Sequence, residues 1–132
     1  MKFAPGQLQH IVLREKIKWE PCPSFLPKSC KMAVLEGHPK KSDFFTVRFK
    51  TEGDFIMPAH THPKDERVTV MSGSVAVGFG MDAKLEKAQV FRLGDYYVNA
   101  RNEIHTVWGI EPGVIQISGI GPWEVHFVES EK

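Results

Sequence analysis

Four side chains in this sequence have the types and spacing that hold a divalent metal ion: His60, His62, Glu66 and His105. The first three lie in one segment, Gly53-Asp-Phe-Ile-Met-Pro-Ala-His60-Thr-His62-Pro-Lys-Asp-Glu66. In an extended strand, residues two apart point to the same face, so His60 and His62 project side by side. Pro63 ends that strand and the chain turns back. Glu66 opens the next strand, which is expected to pair alongside and aim the carboxylate inward. Two neutral imidazoles and a carboxylate suit a borderline ion such as iron, manganese, zinc, nickel or cobalt. His105 opens a second apolar segment and is the candidate fourth ligand, from a different hairpin. The expected cofactor is one divalent ion per chain, and the ligand set leaves its identity open. Glu66 is also the candidate base.

These groups must be positioned by strands. Phe, Val and Ile are frequent, and 11 Gly and nine Pro are spread along the 132 residues, as where many short strands meet at turns. Lys31–Leu35 reads as a short strand, and Asp43–Lys50 as one with Phe45, Val47 and Phe49 on a single face. Gly53–His62 follows. Glu66–Met71 places Val68 and Val70 on the face of Glu66, and Ser72-Gly73 reads as the turn to a hairpin partner, Ser74–Phe79. Residues 81–87 read as a helical turn or polar loop. Strands are then expected at Ala88–Leu93, Asp95–Asn99, Ile104–Ile110, Val114–Ser118 and Trp123–Val128. About ten short strands argue an all-β jelly roll or barrel. The Pro-rich residues 1–30 read as an N-terminal arm packing on that barrel, which takes up residues 31–132.

Candidate pocket residues follow from the same alternation. Gln116 is the polar residue within Val-Ile-Gln-Ile-Ser, and a buried amide needs a partner such as a bound substrate. Phe55, Val68 and Val107 are candidates for the apolar wall. Arg67 falls on the face opposite Glu66. Trp123, after Gly121-Pro122, reads as packing at a turn, and His10, His38 and His126 read as exposed or structural.

Net charge is +1 with no basic stripe, which argues against nucleic acid as a partner. The first 20 residues lack the apolar run of a signal peptide, and no segment approaches a membrane span. A soluble cytoplasmic protein is expected, with Cys22 and Cys30 as free thiols.

The two histidine segments together resemble the paired motifs of the cupin superfamily. The first motif there is a Gly, a His-x-His pair, a Glu four residues on and a Gly seven residues later. Gly53, His60, His62, Glu66 and Gly73 match it, with one extra residue before His60. In the second motif Gly94 and His105 hold their places, while Ala100, Asn102 and Gly109 replace Pro, Gly and Asn. Asn102 can supply the positive φ that a Gly would give. With 20 residues between Gly73 and Gly94, the chain is similar to compact bacterial single-domain cupins. The pieces KIKWEP, MAVLEGHP and GIGPWEVHFV also resemble small cupins compared to the cupin half of a zinc-binding anti-sigma factor.

The resemblance implies a double-stranded β-helix, an RmlC-like jelly roll, and pairing as a homodimer through an outer sheet and the arm. Two functional readings stand side by side. One is a metal-dependent, dioxygenase-like oxidoreductase acting on a small organic substrate. The other is a non-enzymatic zinc-binding sensory or small-ligand module. No nucleophile or separate acid–base pair is visible, which argues against metal-independent sugar chemistry.

Overall fold

A computed structural model describes residues 1–128. Nine strands are present among the described residues: β1 (Glu20–Pro21), β2 (Cys30–Glu36), β3 (Phe44–Thr51), β4 (Ile56–Thr61), β5 (Glu66–Phe79), β6 (Gln89–Arg92), β7 (Tyr96–Asn99), β8 (His105–Ile120) and β9 (His126–Phe127). Two short 3-10 turns, Arg14–Lys16 and Leu85–Lys87, are the helical elements. Residues 129–132, which the expected barrel includes, lie outside the described ones.

All strand pairings are antiparallel, in the order β1-β2-β3-β8-β4-β9, and β5 pairs with β6, β7 and β8. β8 is the seam of the barrel. Its second half pairs with β3 on one side and with the start of β5 on the other. Its first half pairs with β4 and with the end of β5. Alternation fills the interior: Phe45, Val47 and Phe49 from β3, Val68, Val70 and Val75 from β5, and Ile115 and Ile117 from β8 are all buried. Each such side chain contributes roughly 1.5–3 kcal/mol through its removal from water.

Three sequence expectations are corrected. Ser72-Gly73 is not a hairpin turn, because β5 runs unbroken from Glu66 to Phe79 and both halves pair with β8. The register shifts there instead, as at a bulge, and Gly73 takes φ +71°. A Cβ at Gly73 would stand 2.4 Å from the Pro112 carbonyl oxygen, so the backbones of β5 and β8 touch at this point. By the same continuity Ile104–Ile110 and Val114–Ser118 are one strand, β8. Finally, β4 and β5 are not hydrogen-bonded neighbours, so Glu66 reaches the histidines across the barrel interior.

The thiols are also not free. Cys22 and Cys30 form a disulfide, with Cα atoms 5.5 Å apart. The register Glu20↔Met32, Pro21↔Lys31 carries them to facing positions at the neck of the β1–β2 hairpin. That spacing suits a bridge, and only the pairing of the strands reveals it. Residues 1–16 are exposed and carry no strand, with Leu8 94% and Ile11 61% accessible.

Candidate metal centre

His60 near the end of β4 and His105 at the start of β8 face each other directly in the strand register, with ring centroids 4.2 Å apart. His62 follows two residues beyond His60, and its ring lies 4.8 Å from that of His60 and 5.1 Å from that of His105. One donor nitrogen from each of the three falls within 4.8 Å of the other two, and all three residues are buried. Asn102 aids this closure. It has φ 64°, and its backbone N–H donates to the His62 carbonyl at 2.8 Å.

The tautomers are set by the backbone. His60 Nδ1 lies 2.6 Å from the Pro58 carbonyl, His62 Nδ1 2.8 Å from the Glu124 carbonyl and His105 Nδ1 3.0 Å from the Glu103 carbonyl. A carbonyl oxygen only accepts, so each Nδ1 carries the proton and each neutral imidazole presents its Nε2 lone pair inward. His62 Nε2 and His105 Nε2 are buried without a hydrogen-bond partner. Glu66 Oε2 is 3.2 Å from His62 Nε2 and Oε1 is 3.8 Å from His105 Nε2, close but not aligned for hydrogen bonds. Buried lone pairs left without donors are costly. Converging on one another beside a carboxylate, they are the donor set that a divalent cation satisfies.

Glu66 is held from two sides. Asn99, its register partner on β7, donates from Nδ2 to Oε1 at 2.9 Å, and Trp123 donates from Nε1 to Oε2 at 2.9 Å. Burial alone would push the carboxyl up, but His62 and His105, when protonated, and the Asn99 hydrogen bond hold it well below the usual carboxylate range. His60 moves down to about 4, chiefly through burial and then through His105. Tyr97 is half-buried, and burial followed by the Glu66 charge pushes its phenol up, so it stays protonated.

A cavity of about 50 Å³ adjoins these groups. Phe55, Val68 and Val107 line it, as do Tyr97 and Trp123. Gln116 does not. It alternates with the inward Ile115 and Ile117, so its amide lies on the other face, where Oε1 accepts from Arg48 Nε at 2.9 Å. The expected substrate contact is therefore corrected to a cross-strand hydrogen bond. Trp123 is also more than turn packing, since its ring stacks on His62 at 5.4 Å while its N–H holds Glu66. Asn99, Tyr97 and Trp123 were missed in the sequence because only the barrel brings them to Glu66. His10, His38 and His126 are exposed, bonded to the Leu35 carbonyl, the Lys40 N–H and the Glu124 carboxylate respectively.

No family model matches the chain. No curated protein matches it either. Solved structures do. The polyketide cyclase RemF from Streptomyces resistomycificus is similar with TM-score 0.75 and 18% identity, over 95% of this chain and 89% of that one. An acetylacetone dioxygenase from Acinetobacter johnsonii gives 0.72 and 11%, over 98% and 85%. An RmlC-like cupin from Shewanella frigidimarina gives 0.65 and 16%, over 85% and 90%. The chain therefore has the cupin fold, a double-stranded β-helix. Among the described residues no helix is long and apolar enough to cross a membrane.

Proposed function

We propose that this protein binds one divalent metal ion through His60, His62, Glu66 and His105 and acts on, or responds to, a small organic molecule beside it. The observation that carries the reading is the set of three backbone-fixed imidazoles whose Nε2 atoms converge, two of them buried without partners. A divalent ion held there would supply Lewis acidity and, if it were iron, manganese or nickel, one-electron chemistry. Phe55, Val68 and Val107 would bind the apolar part of the substrate and keep water from it. Glu66, ionised and oriented by Asn99 and Trp123, is the group placed to accept a proton from that substrate.

The dioxygenase-like reading draws support from the similarity in fold to an acetylacetone dioxygenase. The smallness of the cavity favours the second reading, a zinc-holding sensory or ligand-binding module, because about 50 Å³ leaves room for only a few waters or a very small molecule. Oxygen uptake separates them. Iron- or manganese-loaded protein that consumes oxygen with a small diketone, diol or thiol is an oxygenase, and protein that does so with none of them is a module.

Elemental analysis after purification without chelators should find near one equivalent of metal. His60→Ala and Glu66→Ala should lose most of it. Acid should release it from the intact protein, because protonated imidazoles cannot bind. Metal-free intact protein would refute the reading. We also propose a homodimer, in which a second copy covers the exposed apolar residues of the arm.

A further inference from the structure

One wall of the cavity is a loop rather than a strand. Pro23–Ser29 joins β1 to β2, and the Cys22–Cys30 disulfide closes it at the neck. Leu26 turns inward, 7% accessible, and lines the cavity together with Cys30. Its neighbour Phe25 faces outward at 52%. The loop thus stands between the cavity and solvent, with one face toward each.

On its Cys30 side the neck is anchored to β3, where Cys30 pairs with Thr51 and the Glu52 N–H donates to the Ser29 carbonyl at 3.4 Å, but little else holds the Cys22 side. β1 is two residues long and pairs with β2 only at Glu20↔Met32 and Pro21↔Lys31. The Cys22 N–H reaches the Cys30 carbonyl at 3.3 Å, and within the loop the Leu26 N–H donates to the Pro23 carbonyl at 2.9 Å. A two-residue ladder is weak pairing. The covalent bridge is the main tie of the Cys22 side of the loop to the barrel, while Leu26 itself packs into the core.

We propose that the Cys22–Cys30 loop is a redox-latched gate over this cavity. With the bridge intact, Leu26 stays in the wall and limits the cavity to very small molecules. A dithiol reductant opens the latch. Its thiolate attacks the sulfur of half-buried Cys22, breaking the S–S bond and releasing the Cys30 thiolate, which takes up a proton. The second thiol of the reductant then displaces Cys22 from the mixed disulfide. Two protein thiols result, and the reductant leaves as its own disulfide. Leu26 is then free to withdraw and admit a larger ligand. The gate rests on reading this cavity as the ligand site.

The test uses Trp123, which lines the cavity, as an internal probe of access. In a Trp19→Phe/Trp108→Phe background it is the sole tryptophan, and acrylamide is the quencher. Reduction with dithiothreitol, checked by titrating the freed thiols, should raise the quenching constant several-fold. Cys22→Ser/Cys30→Ser should show the raised value without reductant and no response to it. Leu26→Ala, with the bridge retained, should already be raised and gain little more on reduction.

Unchanged quenching once both thiols are free would overturn the gate. So would loss of the far-UV signal on reduction, since the bridge would then hold the fold rather than the loop. Metal content is read separately by elemental analysis. Metal-bearing protein whose quenching ignores the bridge keeps the metal site and loses the gate. Metal-free protein whose quenching follows the bridge does the reverse.

Discussion

The carboxylate of Glu66 has both oxygens engaged by donors from opposite sides, Asn99 and Trp123. Losing either leaves the ionised, buried group less well held. Asn99→Ala and Trp123→Phe should each weaken metal retention by roughly 10–100-fold, read by competition with a chelator. Protonation gives a second expectation at this scale. In the unfolded chain His60 takes up a proton near pH 6.5, but in the folded protein only near 4. Falling pH therefore favours the unfolded chain through that window. Glu66 acts in the same direction, because its folded carboxyl holds its charge to lower pH than the unfolded one. Metal-free protein should lose on the order of 3 kcal/mol of stability between about pH 6.5 and pH 4 from His60 alone, measured by urea unfolding. Stability unchanged across that window would contradict the burial of His60.

At the scale of elements, the bulge at Gly73 lets β5 and β8 bend together. Gly73→Ala must bear both the positive φ and a Cβ 2.4 Å from a carbonyl oxygen. It should cost about 2 kcal/mol or more in chemical denaturation. Gly80→Ala, at φ +95° with open space around its Cβ, should cost only the backbone part, about 1 kcal/mol. This bulge also shows where reading the sequence stops. Ser72-Gly73 carries the chemistry of a turn, and only its partner strand shows that the same positive φ serves a bend in a continuous strand. The alternation of His60 with His62, and of Glu66 with Val68 and Val70, was legible because a strand has a period of two. The φ of Asn102 was legible because few residues tolerate it. Gln116 was misplaced because polarity alone does not say which face of a strand is inside. Trp123 and Cys22–Cys30 depend on tertiary pairing, which leaves no local trace.

For the whole molecule, the arm is the feature that a lone barrel does not explain. Met1, Phe3, Leu8, Ile11 and Leu13 are half-exposed or more. A second copy covering them would remove a large apolar patch from water. Light scattering coupled to gel filtration should therefore report twice the mass of one 15.0 kDa chain. Deleting residues 1–13 should shift it toward a single chain without loss of metal. A full-length monomer at high concentration would argue against the pairing.

The tautomer of His62 is set by the carbonyl of Glu124, and the orientation of Glu66 by the indole of Trp123. Both stand some 60 residues after the side chains they control. On the ribosome, a nascent chain long enough to contain all four candidate ligands still lacks the groups that aim two of them. An ion taken up at this site would therefore meet fully aimed ligands only once residues 123 and 124 have joined the barrel.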